Sequence, residues 1–273
     1  MTGFSIEWLN LREQPDLRAR SVELLDLALT FLETGASVSS RPRVLDLGAG
    51  TGATLRAVVR RSEALGKSLN WCLVDNDAQS LEEASRRHGI DCHLELLNQD
   101  LSDISRLPFA GVTLVTASAL LDLVSADFID RLVASLAEQP GVGLYIALTY
   151  DGAMQWTPPH PLDEQVTAVI NRDQKKDKGF GLALGPDASS YAETLLEHHG
   201  FRVETRPSPW RLRGDDVEMV KEFVTGIGST VLRESRLDPE VVEEWIQFRH
   251  AHASDGHCVV GHVDLLALPC AST

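Results

Sequence analysis

The sequence predicts an α/β protein with a doubly wound, mainly parallel sheet. Three observations favour this fold class. Short apolar runs alternate with stretches of helical periodicity between residues 44 and 149, which is the pattern of successive βαβ units. The first run leads directly into the glycine-rich turn GAGTG, and strand-like runs return near residues 201–210 and 258–268. We therefore expect seven strands, with helices on both faces of the sheet.

The first predicted element is a helix over residues 15–33, where apolar residues recur at helical spacing before a polar break. Ser80 and Glu83 form a capping box that begins a later helix, and Gly89 is placed to end it. Further helices are predicted over residues 53–65 and 128–136. The strands of the alternating region are predicted at residues 44–47, 69–75, 92–98, 112–117 and 142–149.

The regular pattern lapses over residues 151–186, which are rich in proline and glycine and contain the run RDQKKDK. Only a short helix over 166–171 is predicted there. An irregular stretch this long usually covers a site when it lies in a compact domain. We therefore expect residues 151–187 to form a lid. Helices at 188–199 and around 217–227 and 241–246 then accompany the last two strands.

Composition excludes several classes of protein. The chain has 273 residues, of which 43% are apolar and 24% charged, so a disordered or fibrous protein is excluded. Its net charge of −15 repels phosphate backbones, and we expect no nucleic-acid partner. No apolar run approaches the roughly 18 residues of a spanning helix, so we expect no membrane partner. Scattered cysteines and an N-terminus without signal-peptide order favour a cytoplasmic protein with reduced thiols.

The strongest chemical signal is the segment VLDLGAGTG. A strand that runs through such a turn into a helix brings backbone N–H groups close to a ligand. Gly48, Gly50 and Ala53 also fit the dinucleotide pattern, so the turn alone leaves the ligand open. Asp46 favours a ligand with an ammonium group, such as S-adenosylmethionine (SAM), because a carboxylate repels a pyrophosphate. Asp75 ends the second strand, where it can accept hydrogen bonds from ribose hydroxyls.

At these residues the sequence resembles the class I SAM-dependent methyltransferases. LDLGAGTG matches the first motif, LVDND the second, NQDLSDI the third, and TASALLDLV the segment after the fourth strand. The resemblance implies SAM as cofactor and an antiparallel last strand in the seven-stranded sheet. It divides one domain into an N-terminal helical cap, a SAM-binding core, the lid, and C-terminal helices with the last two strands, at residues 1–40, 42–150, 151–187 and 188–273.

The resemblance also implies which residues hold the cofactor. Asp46, Gly48 and Gly50 would hold the methionine moiety, and Ser118 would line the same side. Ribose would be bound by Asp75. The adenine would be flanked by Asn76 and would meet Asp100 and Leu101 at its edge. Two arginines of the first predicted helix, Arg18 and Arg20, are candidates for the SAM carboxylate.

Departures from the family pattern bear on the acceptor. The motif N/D-P-P-Y/F of nucleic-acid and glutamine methyltransferases is absent after the fourth strand, and Gly152 follows Asp151 where a metal site would need asparagine. We therefore expect no metal and a small-molecule acceptor with an oxygen, nitrogen or carbon nucleophile. Asp122 and His160 are the catalytic candidates, because both should follow strand ends. The alternatives are a nicotinamide-dependent oxidoreductase and a non-catalytic SAM-binding module. The oligomeric state is not predicted.

Overall fold

The computed structural model describes residues 4–35, 41–88 and 92–270. Ten helices lie in these ranges: α1 Ile6–Ala19, α2 Val22–Gly35, α3 Ala53–Arg61, α4 Glu63–Ser68, α5 Ala78–His88, α6 Ala126–Ala137, α7 Asp163–Gln174, α8 Ala188–His198, α9 Val217–Glu234 and α10 Pro239–Ala251. The described strands are β1 Arg43–Leu47, β2 Asn70–Asp75, β3 His93–Asn98, β4 Val112–Ser118, β5 Gly143–Thr157, β6 Phe201–Pro207, β7 Trp210–Leu212 and β8 His257–Pro269. Gly89, the predicted end of α5, lies outside the described residues.

The strands form one mixed sheet in the order β3-β2-β1-β4-β5-β8-β6, with β7 paired to β8. The first five strands of this order are parallel, and β8 is antiparallel to β5 and β6. The doubly wound sheet with an antiparallel last strand is thus confirmed. Residues predicted as one strand, 201–210, form the separate strands β6 and β7 around Pro209, which has no N–H to donate.

The order of the strands places a ligand site. β1 lies between β2 and β4, so the chain reverses its direction across the sheet at this point. Ligands of open α/β sheets bind outside the carboxyl ends of the strands at such a reversal. The turn after β1 and the residues that end β2 and β4 therefore meet at one edge of the sheet.

Apolar side chains bury both faces of the sheet. One buried cluster packs α6 and α8 against one face, with Phe128, Leu132 and Leu196 at its centre. A second cluster packs α2, α3 and α5 against the other face. Among the described residues, no helix is both long and apolar enough to cross a membrane.

The N-terminal region contains two helices where the sequence predicts one. α1 and α2 are separated at Arg20 and Ser21. The buried residues of α1 are Arg12, Pro15 and Asp16, so this helix has no apolar stripe that could mark it in the sequence. It is held by ion pairs, such as those of Glu13 with arginines on α3 and α5, and by partly buried side chains such as Trp8 and Leu11.

Residues 151–187 have more regular structure than predicted. β5 continues eight residues past Thr149, paired with β8 as far as Thr157 and His257. α7 is twice as long as the predicted helix, and a 3₁₀ turn follows at Gly185–Asp187. The lid role of this segment stays a prediction.

A third buried cluster surrounds the extended ends of β5 and β8. It packs α7, α9 and α10 together, with Trp156, Trp245 and Val220 among its buried side chains. The Arg249 guanidinium lies in this cluster and makes a bidentate pair with Asp163, which also accepts from the Trp245 indole at 2.9 Å. This cluster therefore fixes the helices that stand beyond the edge of the sheet.

The Asp264 carboxylate of β8 joins three parts of the fold. It is completely buried and accepts hydrogen bonds from the backbone N–H groups of Ser21 and Leu148, both at 2.8 Å. The hydroxyl of Tyr145 lies 3.3 Å away and donates to the same carboxylate. Leu148 has a positive φ of 59° beside a register shift in β5, so its N–H is turned towards Asp264.

We expect Asp264→Ala to destabilise the protein by about 3 kcal/mol or more, because it leaves two buried N–H groups without acceptors. Urea unfolding followed by circular dichroism measures this loss. Asp130→Ala is the control, since this exposed carboxylate accepts only from Tyr191 and should cost less than about 1 kcal/mol. A loss for Asp264→Ala no larger than the loss for the control would contradict the role of this residue.

Candidate active site

A cleft of about 1120 Å³, open mouth included, lies at the carboxyl ends of β1, β2 and β4. α1 covers it on one side. Its walls are formed by residues that follow the strands, by α1 and by one distant loop: Phe4, Leu9, Arg12, Asp16, Gly48–Ala49–Gly50–Thr51, Ala53, Thr54, Asp75–Asn76–Asp77, Ser80, Leu101, Ser118–Ala119–Leu120, Leu123 and Phe180. Six of the eight predicted cofactor residues are in this set, namely Gly48, Gly50, Asp75, Asn76, Leu101 and Ser118.

The glycine turn presents bare backbone to the cleft. Gly48 and Gly50 have positive φ values of 63° and 51°, which glycine adopts at little cost. α3 begins directly after the turn, and its N-cap residue Gly52 offers no side-chain acceptor. The first N–H groups of α3 are therefore available to a ligand, and the helix dipole favours negative charge there.

Asp75 links the turn to the second strand. One oxygen of its carboxylate accepts from the N–H of Gly50 at 2.8 Å, and the other accepts from the N–H of Asp77 at 2.9 Å. Burial raises the pKa of this carboxyl, and these N–H groups act against the rise. Each oxygen keeps a second lone pair, so Asp75 can also accept from a ligand's hydroxyls.

Asp46 lies beneath the turn and does not line the cleft. Thr116 donates to its Oδ1 at 2.7 Å, while Oδ2 is buried without a hydrogen-bond partner. Burial raises the pKa of Asp46 to about 6, and the positive charge of Arg20 acts in the opposite direction. The site thus holds a buried carboxylate oxygen that lacks a donor.

Of the two arginine candidates, Arg20 is the one that lies beside Ser118, a residue of the cleft lining. It is buried, its Nη2 donates to the Ser118 hydroxyl at 2.9 Å, and its Nη1 has no partner. Arg18 points elsewhere and pairs with Asp216 at 2.6 Å. Among the described residues, an unpaired cationic donor and an unpaired carboxylate oxygen are therefore buried behind the lining of the cleft, near Ser118 and the glycine turn. They match the carboxylate and the ammonium of an amino-acid group.

The glycine turn, Asp46 and Asp75 belong to a segment with a recognised sequence pattern. Residues 44–139 match the model of a family described as methyltransferase domain. This segment of the chain has the sequence pattern of a methyltransferase domain. SAM is the cofactor, as the sequence predicts.

Comparison with solved structures gives similar folds at low identity. A mycolic acid cyclopropane synthase complexed with SAH and CTAB is 14% identical, with 90% of this chain and 82% of that chain covered and a TM-score of 0.48. A geranyl diphosphate methyltransferase in complex with GPP and sinefungin is 13% identical, with 90% and 77% covered and a TM-score of 0.45. An O-methyltransferase family protein from Burkholderia thailandensis is 18% identical, with 67% and 53% covered and a TM-score of 0.43. Comparison with curated protein sequences finds no match.

Asp100 is not brought to the cleft of the methyltransferase domain. It is exposed, and its Oδ1 accepts from the N–H of Ser102 at 2.8 Å. This N–H is the main reason that the pKa of Asp100 is lowered. The next residue, Leu101, is buried and lines the cleft. The turn after β3 thus presents the leucine and directs the carboxylate to solvent.

Asp122 also lies outside the cleft lining. It belongs to the 3₁₀ turn Leu121–Leu123, and its Oδ1 is buried without a partner among the described residues. Burial raises the pKa of Asp122 to about 6, and the N–H of Tyr150 acts against this rise. The expectation of direct catalytic contact is corrected, because the turn directs Leu120 and Leu123 into the cleft and Asp122 into the protein.

His160 lies with the third buried cluster, away from the cleft. Its Nδ1 accepts from the N–H of Leu162 at 3.2 Å, and its ring is 5.0 Å from that of Phe248. The prediction placed it near the end of a strand that stops at Thr149. Because β5 extends eight residues further, up to about 26 Å in extended chain, His160 is carried past the cleft.

Sequence reasoning missed the contribution of α1. Leu9, Arg12 and Asp16 line the cleft at spacings of three and four residues, which is one helical face. This face is mostly polar, so hydrophobic periodicity does not reveal it. The spacing of Arg12 and Asp16 as an i, i+4 ion pair was the available signal. Among the described residues, no group of three or more His, Cys, Asp or Glu side chains is placed to hold a metal.

We expect Asp122→Asn to change how the free energy of unfolding depends on pH. The native state binds the Asp122 proton more tightly than the unfolded state. The resulting stabilisation is complete below a pH near the ordinary value of 3.8 and is lost as the pH rises through about 6. Relative to Asp122→Asn, the wild type should therefore lose about 1 kcal/mol between about pH 5 and about pH 8. Urea unfolding at several pH values measures this difference.

Asp255→Asn is the control for this experiment, because Asp255 is exposed. Its difference from the wild type should be independent of pH over the same range. A flat difference for Asp122→Asn as well would show that the Asp122 carboxyl titrates normally.

We expect Asp75→Ala to weaken binding of S-adenosylhomocysteine (SAH) about tenfold or more, because charge-assisted hydrogen bonds to the ribose are lost. Isothermal titration calorimetry measures the affinity, and thermal unfolding checks the fold. Asp100→Ala is the matched comparison, since it removes a carboxylate near the cleft that does not line it; we expect a change of less than about twofold. Equal affinity in Asp75→Ala and wild type would contradict the ribose assignment.

Proposed function

We propose that the protein transfers the methyl group of SAM to a small-molecule acceptor bound in the same cleft. The observation that carries this proposal is the extension of the cleft beyond the predicted cofactor residues. Arg12, Asp16, Leu123 and Phe180 line it, and none of them belongs to the cofactor set. Clefts of this kind, mostly apolar with a few convergent polar groups, are typical of small-molecule sites.

In this proposal the cofactor lies across the ends of β1, β2, β3 and β4. The N–H groups around Gly48 and Gly50 approach it, Asp75 binds the ribose, and Asn76 and Leu101 flank the adenine. Ser118 and Arg20 bind the carboxylate of the amino-acid end. Asp46 attracts the ammonium from beneath the turn, which supports SAM over a dinucleotide because a pyrophosphate would be repelled there.

When bound, SAM would supply an activated methyl group, which the acceptor nucleophile takes while SAH is the leaving group. The protein's own contribution is to position the acceptor and to exclude water. α1 covers one side of the cleft, and the apolar side chains of Leu9, Leu120 and Leu123 displace water from its walls.

The proposal also treats the chain as one domain. The third buried cluster is built on the ends of β5 and β8, which are the same strands that close the main sheet. This continuity supports one domain in which the C-terminal helices stand beside the cofactor core.

Transfer of a labelled methyl group tests the function. The protein is incubated with methyl-labelled SAM and a cell extract filtered to contain only small metabolites. We expect label in a small molecule together with SAH, and loss of both with Asp75→Ala, because the variant binds the cofactor weakly. Parallel incubations replace the filtrate with protein, RNA or duplex DNA and should show no transfer, the nucleic acids because of the charge of −15.

Three results would contradict the proposal. Label confined to protein or nucleic acid would show a macromolecular acceptor. Tight SAH binding without transfer to any fraction would favour a non-catalytic SAM-binding module. Binding of NADH without binding of SAM would favour the oxidoreductase.

A further inference from the structure

The Arg12–Asp16 pair of α1 is an unusual wall for a mostly apolar cleft. Arg12 and Asp16 are both buried, with 8% and 7% exposure, and both line the cleft. Nε of Arg12 donates to one carboxylate oxygen at 2.8 Å and Nη2 to the other at 3.3 Å. The guanidinium is thus held in a fixed plane by a bidentate pair.

Trp210 fixes the same pair from the far side. Its indole N–H donates to Asp16 at 2.8 Å, and the Arg12 guanidinium lies over its ring, 5.0 Å from the centroid. Among the described residues, Nη1 of Arg12 has no hydrogen-bond partner. This atom is not completely buried. This donor is therefore available to a ligand in the cleft.

The position of the pair separates it from the predicted cofactor residues. Those residues follow β1, β2, β3 and β4. Trp210 belongs to β7, which pairs with β8 on the opposite side of β5. The Arg12–Asp16 pair is thus held from the side of the sheet opposite to the strands that carry the predicted cofactor residues.

A tight hairpin supplies the apolar wall beside it. Asp177 accepts from the N–H groups of Gly179 and Gly181 at 2.7 and 3.1 Å, and both glycines have positive φ. This turn places Phe180 at its tip, where the ring lines the cleft and packs edge-on against Phe128 with centroids 5.3 Å apart. An aromatic surface therefore stands in the cleft with the guanidinium donor.

The charges of this wall favour an uncharged ligand. Asp16 neutralises Arg12. Asp122 is a further carboxyl nearby, and the charge of Arg12 acts against the burial that raises the pKa of Asp122. An anionic group here would compete with the Asp16 carboxylate for the same guanidinium. A neutral oxygen can accept a hydrogen bond from the cation without that penalty.

We propose that Arg12 binds an uncharged oxygen of the methyl acceptor while Phe180 packs against the acceptor's apolar body. The acceptor is then a small apolar molecule that carries a hydroxyl or carbonyl oxygen. Arg12 is a specificity-determining residue, and Asp16 positions it. This inference rests on the proposed function, since it names the class of molecule that shares the cleft with SAM.

Binding of small aromatic probes to the SAH complex tests the inference. The probes share one apolar body and differ in the polar group: p-cresol is uncharged with an oxygen, p-toluate is anionic, and p-toluidine carries an amine. Saturation-transfer NMR and calorimetry at neutral pH give their affinities. We expect p-cresol to bind most tightly, and Arg12→Met to weaken it about tenfold. Phe180→Ala should weaken it about threefold or more.

The variants also separate this site from the cofactor site. Arg12→Met should leave the SAH affinity within about twofold of wild type, and so should Arg18→Met, the matched change on α1 outside the cleft. Asp16→Asn keeps Arg12 but removes its counter-charge, so the preference should shift towards p-toluate. This second variant distinguishes a specific loss from a folding defect.

Four results would overturn the inference. These are no binding of p-cresol up to its solubility limit, no preference for p-cresol over the other probes, equal p-cresol affinity in Arg12→Met, or a large loss of SAH affinity in that variant. The last would make Arg12 a cofactor residue. Failure of the proposed function is a separate result, because it is read from the transfer assay, as the absence of label in any small molecule, and not from the probe affinities.

Discussion

The buried carboxylate of Asp264 is the constraint on which the arrangement of the cleft depends. It accepts from the N–H of Ser21, where α1 gives way to α2, and from the N–H of Leu148, where β5 shifts its register against β8. The first bond fixes the corner that brings Arg20 to Ser118 and directs α1 across the cleft. The second compensates for a backbone conformation that costs about 1–3 kcal/mol at a leucine. One side chain thus joins the roof of the cleft to the strand beneath it.

The roof is attached both by charge and by apolar contacts. Glu13 pairs with Arg56 of α3 and Arg87 of α5. Trp8 and Leu11 of α1 pack against the third buried cluster. Ion pairs of partly exposed groups contribute little individually and are weakened by salt, so part of this attachment depends on ionic strength.

The cofactor half of the site was predictable because it depends on backbone geometry that leaves a mark in the sequence. Close approach of the chain to a ligand requires glycine, and Gly48 and Gly50 have the positive φ values that this implies. Asp75 was found because it ends a recognisable strand. Asp122 and His160 were misplaced because the length of β5 and the inward side of a 3₁₀ turn are set by tertiary packing. Neither the long pairing of β5 with β8 nor the third buried cluster has a local signature.

The N-terminal cap and the lid were predicted as segments, but the residues of them that line the cleft were missed for a related reason. Helix prediction from periodicity finds the apolar face of a helix, but the face of α1 that lines the cleft carries Arg12 and Asp16. Their burial is compensated by each other and by the Trp210 indole, three partners from distant parts of the chain that no local pattern connects. Phe180 likewise depends on the turn that Asp177 organises. The two sides of the cleft therefore depend on different kinds of contact: backbone geometry at the glycine turn, and side-chain pairing between distant parts of the chain at Arg12, Asp16 and Trp210.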